Sequence, residues 1–447
     1  MTWTWHAAPP PVVAPGELPP RPGTGRVKVL HVITKFWAGA GGNTLVTALG
    51  MDPARYEVWV AGCEGGPLWA RAEAAGIRTV QLRHFRETIA PLRDVSVLFQ
   101  LIRLIRRERF TIVHSHSSKG GVLGRVAAWL CRTPVIVHTF HGFSFHDYMS
   151  ARRRRLYLLM ERMVRPLTDQ VLTVAPAVAR EAVEQRLARP GRIAVVPSAV
   201  ELDRVPRQAD HSVRRELGIP DDVPLVGTVG RLDFQKAPMD FVRMAARVHR
   251  DRPEVRFVMV GDGALEREAR DAAAAAGIPI LFTGFRGDAA RVASAFDVFV
   301  VSSLYEGLGR SLTEALASGR PVAATAVNGV PDLVEHGSTG LLAPPRDPEA
   351  MSRAVVWLLD HPAEARTMGA NGRDRVRAQF RPELMCGLVD RVYGHLLGLP
   401  APAEPVSRVP PLNTVGSIER SDGHAPPPGA GGEPARSSRP AGSVAHG

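Results

Sequence analysis

A chain of 447 residues, 45% hydrophobic and 22% charged, can bury two cores of ordinary domain size. Its formal net charge is +12, yet lysine occurs only at positions 28, 35, 119 and 236; with abundant Ala, Gly and Pro, this arginine-dominated balance points to a GC-rich, bacterial coding bias. Cys63, Cys131 and Cys386 are odd in number and far apart, which excludes a disulfide framework or a Cys-x-x-Cys metal knuckle and fits a reducing compartment. A basic chain suits nucleotide diphosphates, a phospholipid surface or nucleic acid. No basic stripe is interleaved with aromatics, so nucleic acid is not an expected partner. The N-terminus lacks the basic and apolar regions of a signal peptide, and no stretch approaches the roughly 20 apolar residues of a membrane-spanning helix. The expected place is the cytoplasm, either as a soluble protein or as one peripheral on the cytoplasmic face of the plasma membrane.

Residues 1–25 are proline-rich and read as disordered. VKVLHVI, Val27 to Ile33, is the first strand, followed by a loop with Gly39, Gly41 and Gly42 and a helix expected to be capped near Asn43. This is a phosphate-loop pattern or a plain glycine-rich turn, since it matches neither Gly-x-Gly-x-x-Gly nor a Walker sequence. Strands at 56–61, 79–82 and 111–114 then alternate with helices at 68–75 and 95–107, which predicts a parallel sheet covered by helices on both faces. HSHSSKGG and VIVHTFHGFSFH carry His114, His116, His138, His141 and His146. A His-x-His pair on a strand presents both rings to one side and suits zinc, but no carboxylate or cysteine cluster completes such a site. Lys119, at a helix start, reads as a contact for an acidic acceptor or as a solvated lysine.

Arg152 to Arg155 open a helix bearing Leu156, Leu158, Leu159, Met163 and Val164. Its apolar face belongs either to the domain's own core or to an anionic membrane. Strands at 171–174 and 193–196 close a first domain, 26–205, and a polar link leads into a second, 206–380. That second domain opens with PLVGTVGRLDFQKAPMD, where Gly230 and Arg231 follow a strand and Lys236 stands five residues on. Two cations at a strand's carboxyl end are either ordinary surface charges or suit a diphosphate, Arg bridging two oxygens and Lys acting as a point charge. Val298 to Val301 is a buried strand that ends at Ser302-Ser303. Glu306 lies in the loop beyond it, then Gly307, Leu308 and Gly309 open a helix that contains Glu314. A helix N-terminus at the carboxyl end of a strand is where open α/β sheets bind anions. Each glutamate, repelled by phosphate, either suits hydroxyls, Glu314 a ribose diol and Glu306 a second, sugar-like group, or is no more than an exposed helix residue and a loop charge.

Glu306, seven residues, then Glu314, followed by EALASGRPVAAT, NGVPDLV and STGLLAPP, resembles the donor-site signature of family-4 retaining glycosyltransferases (glycosyl transferases group 1). The resemblance covers about 26–397 and is strongest in the second half. It implies an α/β GT-B fold, two facing Rossmann-like doubly wound domains with the active site in the cleft. It also implies a UDP-, GDP- or ADP-sugar donor and a lipid-linked, polysaccharide or small hydroxyl acceptor. Capsule, exopolysaccharide or cell-envelope assembly is the expected setting. By resemblance His141 stands beside the transferred sugar, Gly41 and Gly42 face the donor phosphates, and Gly230, Arg231 and Lys236 form the phosphate clamp. Gly261, Gly284 and Phe285 would frame the base, and Gly307, Leu308, Gly309 and Glu314 the rest of the donor, with Glu306 at the sugar. A helix at 381–398 would pack back on the first domain, leaving 399–447 as a disordered tail.

This sequence departs from the family pattern at Ala237-Pro238, where glycine usually follows the clamp lysine, at Asn328-Gly329, and at Arg310. No Asp-x-Asp pair occurs, so no cofactor and no essential divalent metal are expected. Two other activities fit the same features: a nucleotide-sugar 2-epimerase of similar fold, and a nucleotide-sugar-binding protein without turnover.

Overall fold

The β-branched run Val27–Ile33 (β1) becomes a central strand because both of its faces are covered, as its near-continuous apolar sequence requires. In the computed structural model, residues 25–399 are described, except Ala38, Glu64 and the Pro67 side chain. The expected disordered N-terminal segment and tail lie outside the described residues. After β1 come α1 (Ala40–Gly50), β2 (Tyr56–Gly62), α2 (Pro67–Ala74), β3 (Arg78–Gln81) and α3 (Pro91–Glu108). They are followed by β4 (Ile112–His116), α4 (Ser118–Leu130), β5 (Val135–Phe140) and α5 (Ala151–Val164). The sheet is completed by β6 (Gln170–Thr173), α6 (Pro176–Glu184) and β7 (Ile193–Val195). The seven strands run parallel in the order β3-β2-β1-β4-β5-β6-β7.

The second sheet is built in the same way. It comprises α7 (His211–Glu216), β8 (Leu225–Val229), α8 (Pro238–Asp251), β9 (Arg256–Val260), α9 (Glu266–Ala275) and β10 (Ile280–Gly284). Next come α10 (Ala289–Ser294), β11 (Val298–Val301), α11 (Arg310–Ala317), β12 (Val322–Thr325), α12 (Val330–Leu333) and β13 (Leu341–Ala343). Its parallel order is β10-β9-β8-β11-β12-β13. Both sheets reverse direction of growth beside their first strand, between β1 and β4 and between β8 and β11. These switch points leave a crevice at the strands' carboxyl ends.

Three further helices finish the chain: α13 (Pro348–Asp360), α14 (Pro362–Gln379) and α15 (Pro382–Leu396). Although α15 follows the second sheet in sequence, it packs on the first. Leu384, Met385, Val389 and Tyr393 join one core with β1 and α1, and Asp390 accepts hydrogen bonds from Tyr56 (2.6 Å) and Arg55 (2.8 Å). The opposite face of the first sheet is covered by α3 and α4. There, Arg125 on α4, fully buried, pairs at 2.5 Å with Glu161 on α5.

α5 divides its apolar residues. Leu158 and Val164 are core, while Leu156, Leu159 and Met163 face outward. The first of the two expectations for this helix therefore holds for only part of its apolar set.

Candidate active site

The two sheets' carboxyl ends face one cleft of ≈2230 Å³. On the second domain's side, β11 delivers its chain into the loop that holds Glu306, which is buried against its neighbours. One Glu306 oxygen pairs with Lys236 and accepts from Ser303 Oγ at 2.8 Å, and the Glu306 N–H donates to Asn328 Oδ1 at 3.1 Å. Lys236 ends a 3₁₀ turn after β8. The next residue, Ala237, sits at φ 46°, so the position the family usually gives to glycine keeps its left-handed backbone even as alanine. Arg231 is exposed to the cleft and pairs with Asp233 at 3.1 Å.

Gly309, at φ 87°, turns the chain into α11. That helix has no side-chain cap and no acidic residue in its first turn, so its leading N–H groups open onto the cleft with their dipole unopposed. Arg310 adds positive charge there and binds Glu314 at 2.8 Å. Arg310 also crosses to the first domain, where its guanidinium occupies the space beside Gly42 that a side chain would fill.

The facing wall comes from the first domain. His141, just past β5, lines the cleft, and its backbone meets Gly307 so closely that a Cβ on Gly307 would lie 1.8 Å from the His141 carbonyl oxygen. Asn328 Nδ2 reaches Glu181 at 3.1 Å, and His146 stacks on Tyr305 with ring centroids 4.3 Å apart. The domains thus touch through loops on both sides of the cleft.

Of the residues singled out in sequence, Gly42, Gly230, Gly261, Phe285, Gly307, Leu308, Gly309 and Glu314 line this cleft, as do His141, Arg231, Lys236 and Glu306. Gly41 and Gly284 do not. Gly41 packs against the Phe36 backbone, and Gly284 bridges Gly261 at the end of β10. Leu308 has its side chain in the core, so only its backbone can serve a ligand. Asn43 is not a cap: α1 begins at Ala40, and the Asn43 side chain accepts from Ala199 N at 3.3 Å. Lys119 is not free for an acceptor, being held by Asp94 and by the carbonyls of Arg86 (2.8 Å) and Thr88 (2.5 Å).

Sequence reasoning missed His31, whose only signal was a polar residue inside an apolar strand. It lies in register with His114 on β4 and bonds His116 at 2.9 Å. His116 bonds His141 at 3.0 Å, and His114 bonds Tyr393 (2.6 Å) and Thr139 (2.7 Å). The imidazoles of His31, His114 and His116 approach closely enough to suggest a metal centre. Their nitrogens are already committed to one another and to hydroxyls, with only His31 Nε2 unpartnered among the described residues, so they form a hydrogen-bonded cluster. Burial depresses all of them: His31 to about 3, His141 to about 4, and His114, His116 and His138 well below the usual imidazole range.

Comparison with known proteins agrees with this architecture. Residues 39–204 match the family described as Glycosyltransferase Family 4, and 223–361 match Glycosyl transferases group 1. This chain belongs to the group 1 glycosyltransferases. The two matches take in most of both sheets. The UDP-Gal:alpha-D-GlcNAc-diphosphoundecaprenol alpha-1,3-galactosyltransferase of Escherichia coli is 29% identical over 343 residues, 75% of this chain and 88% of the relative. The D-inositol 3-phosphate glycosyltransferase of Thermobispora bispora is 29% identical, over 65% of this chain and 71% of its own. Among solved structures, the Anabaena protein HepE in complex with UDP-glucose superposes with a TM-score of 0.71 at 18% identity, covering 83% of this chain and all of that one. Sucrose-phosphate synthase from Thermosynechococcus elongatus gives 0.69 at 24%, again over 83% and 100%. These likenesses establish the GT-B fold of the glycosyltransferase.

Proposed function

We propose that this glycosyltransferase is a retaining, metal-independent hexosyltransferase. It moves a sugar from a nucleoside diphosphate sugar to a hydroxyl acceptor in polysaccharide or cell-envelope glycan assembly. One observation carries the reading: Arg231, the Lys236–Glu306 pair and the free first-turn N–H groups of α11 converge on a cleft whose opposite wall presents His141. As the anomeric C–O bond breaks, its electron pair goes to the departing phosphate oxygen. Arg231, the two Lys236 donors not used by Glu306, and the α11 amides stabilise the charge that grows there. The acceptor oxygen attacks from the same face, and its proton passes to that leaving oxygen. Glu306 serves by holding Lys236 in place, and the cations of the clamp do the work that a divalent ion would otherwise do.

A lipid-linked acceptor is the preferred class, in keeping with the name of the Escherichia coli relative. Leu156, Leu159 and Met163 on α5 are exposed, as are Leu92, Val95 and Phe99 on α3, at helical spacing and among arginines. Such a face suits peripheral docking on an anionic membrane. No helix among the described residues is long and apolar enough to cross one.

The test is a thermal-shift panel of UDP-, GDP- and ADP-sugars, with and without EDTA, on the wild type and on Glu314→Ala. A selective, EDTA-insensitive stabilisation that Glu314→Ala removes is the expected result. No stabilisation by any nucleotide sugar would sink the assignment.

A further inference from the structure

The histidine cluster does more than fill the core. β1, β4 and β5 lie side by side, and their register places His31, His114, His116 and Thr139 on the face covered by α1 and α15. Three rings are joined in series: His31 Nδ1 to His116 Nε2 at 2.9 Å, and His116 Nδ1 to His141 Nε2 at 3.0 Å. The series starts at His31 Nε2, which is buried with no partner among the described residues, and ends at His141 Nδ1, the nitrogen left over at the cleft wall.

Neutral imidazole carries one N–H, so only two proton arrangements satisfy both bonds. In one, His141 donates to His116, His116 donates to His31, and the last proton sits on His31 Nε2 as a buried N–H with nothing to receive it. In the other, His31 donates to His116, His116 donates to His141, and the last proton sits on His141 Nδ1, facing the cleft. The second arrangement places every proton in a bond or at the cleft and leaves only a lone pair unmatched in the core. Orphaned buried donors are the costlier choice.

We propose that His31 and His116 are positioning residues that hold His141 in its Nδ1–H tautomer and fix its ring, so that it meets the substrate as a hydrogen-bond donor and not as a base. This deepens the glycosyl-transfer reading above and rests on it for the identity of the substrate. A donor suits a hydroxyl oxygen of the bound sugar. It does not suit proton abstraction from carbon, which separates this cleft from one built for epimerisation. A second-layer ring fixing the tautomer of a working histidine follows the logic by which a carboxylate does so in hydrolytic triads.

Two measurements test it. Nitrogen-15 correlation spectra of the imidazoles, recorded on the full chain alone and with UDP, report the tautomer directly and need no turnover. The expected spectrum shows His141 protonated at Nδ1 in the wild type, and a mixed population in His31→Phe. In the second, kinetics with the donor selected by the thermal-shift panel are expected to show kcat lowered about tenfold or more in His31→Phe with KM nearly unchanged. His31→Asn, whose amide N–H replaces Nδ1–H, restores most of it. Circular dichroism on each variant distinguishes a folded, slow enzyme from an unfolded one, and the wild-type spectrum decides the matter even if His31→Phe fails to fold. An Nε2–H tautomer at His141, a tautomer indifferent to His31, or a zinc ion retained on the rings would overturn the proposal. A correct tautomer in a protein that no nucleotide sugar stabilises would leave the positioning claim standing and remove the glycosyl-transfer reading instead.

Discussion

Gly307→Ala is the most informative single perturbation of the cleft. The added Cβ would lie 1.8 Å from the His141 carbonyl oxygen and 2.7 Å from its carbonyl carbon, both backbone atoms that cannot rotate away. Behind it, the Gly307 carbonyl oxygen already fills the space beside Gly329, so the loop has no room to retreat. Restoring ordinary contact at 3 Å or more moves the two walls apart by about 1 Å or more, and a misplacement of about 1 Å costs on the order of 100-fold in rate. The opening works against one buried core that both domains share, Val174 and Ala175 with Leu308 and Val327 among it, so the melting temperature should also fall, by the equivalent of about 1–3 kcal/mol. The assay is kcat/KM with the donor chosen by thermal shift, alongside melting curves. Gly287→Ala is the control, because Gly287 also lines the cleft but has open space at its Cβ position. The expected outcome is a loss of about 100-fold for Gly307→Ala against little change for Gly287→Ala. If Gly307→Ala keeps its kcat/KM within about threefold, the close approach of the two walls is not what sets the reacting geometry.

Acid should unfold the protein early. Burial holds the folded-state pKa of His31 near 3 and those of His114, His116 and His138 well below the usual value, so these rings stay neutral while the unfolded chain takes up protons. Their stabilisation is complete above about pH 6.5 and is lost as pH falls toward the folded values; His31 accounts for about 2 kcal/mol of loss by pH 5, and the other three rings add to it in the same direction. Melting curves between pH 8 and 5 should therefore drop steeply below pH 6, and a flat profile would contradict the cluster. Glu161→Gln leaves the Arg125 guanidinium buried without its counter-charge. It should cost about 3–5 kcal/mol in urea unfolding, and a loss under about 1 kcal/mol would mean that the pair is not buried in solution. Replacing Leu156, Leu159 and Met163 together with serine should weaken sedimentation with phosphatidylglycerol vesicles at least tenfold while leaving the melting temperature unchanged. Equal binding by the triple variant would remove α5 from the docking surface.

Both sheets were legible from local pattern, because a strand buried on two faces must be an unbroken apolar run; Val298 to Val301 and Val27 to Ile33 could be little else. The cleft's second-domain wall was legible for the same local reason. Gly230, Arg231, Lys236, Glu306 and Gly309 all stand at the point where a strand gives way to a turn or helix, and that junction is written in consecutive residues. Partners distant in sequence were not legible. Asp94 and two loop carbonyls claim Lys119, Ala199 takes the Asn43 side chain, and Arg310 reaches Gly42 across the cleft, each through a contact that packing alone creates. Likewise α5 was read correctly as a helix, yet which of its leucines would be core depended on where α4 lies beside it. The imidazole series shows the division most clearly: His31 and His116 are 85 residues apart, and only the parallel register of β1 against β4 sets their rings in bonding distance. Secondary structure follows from periodicity over a few neighbouring residues. Which polar group satisfies which, once water is gone, is decided by the tertiary fold.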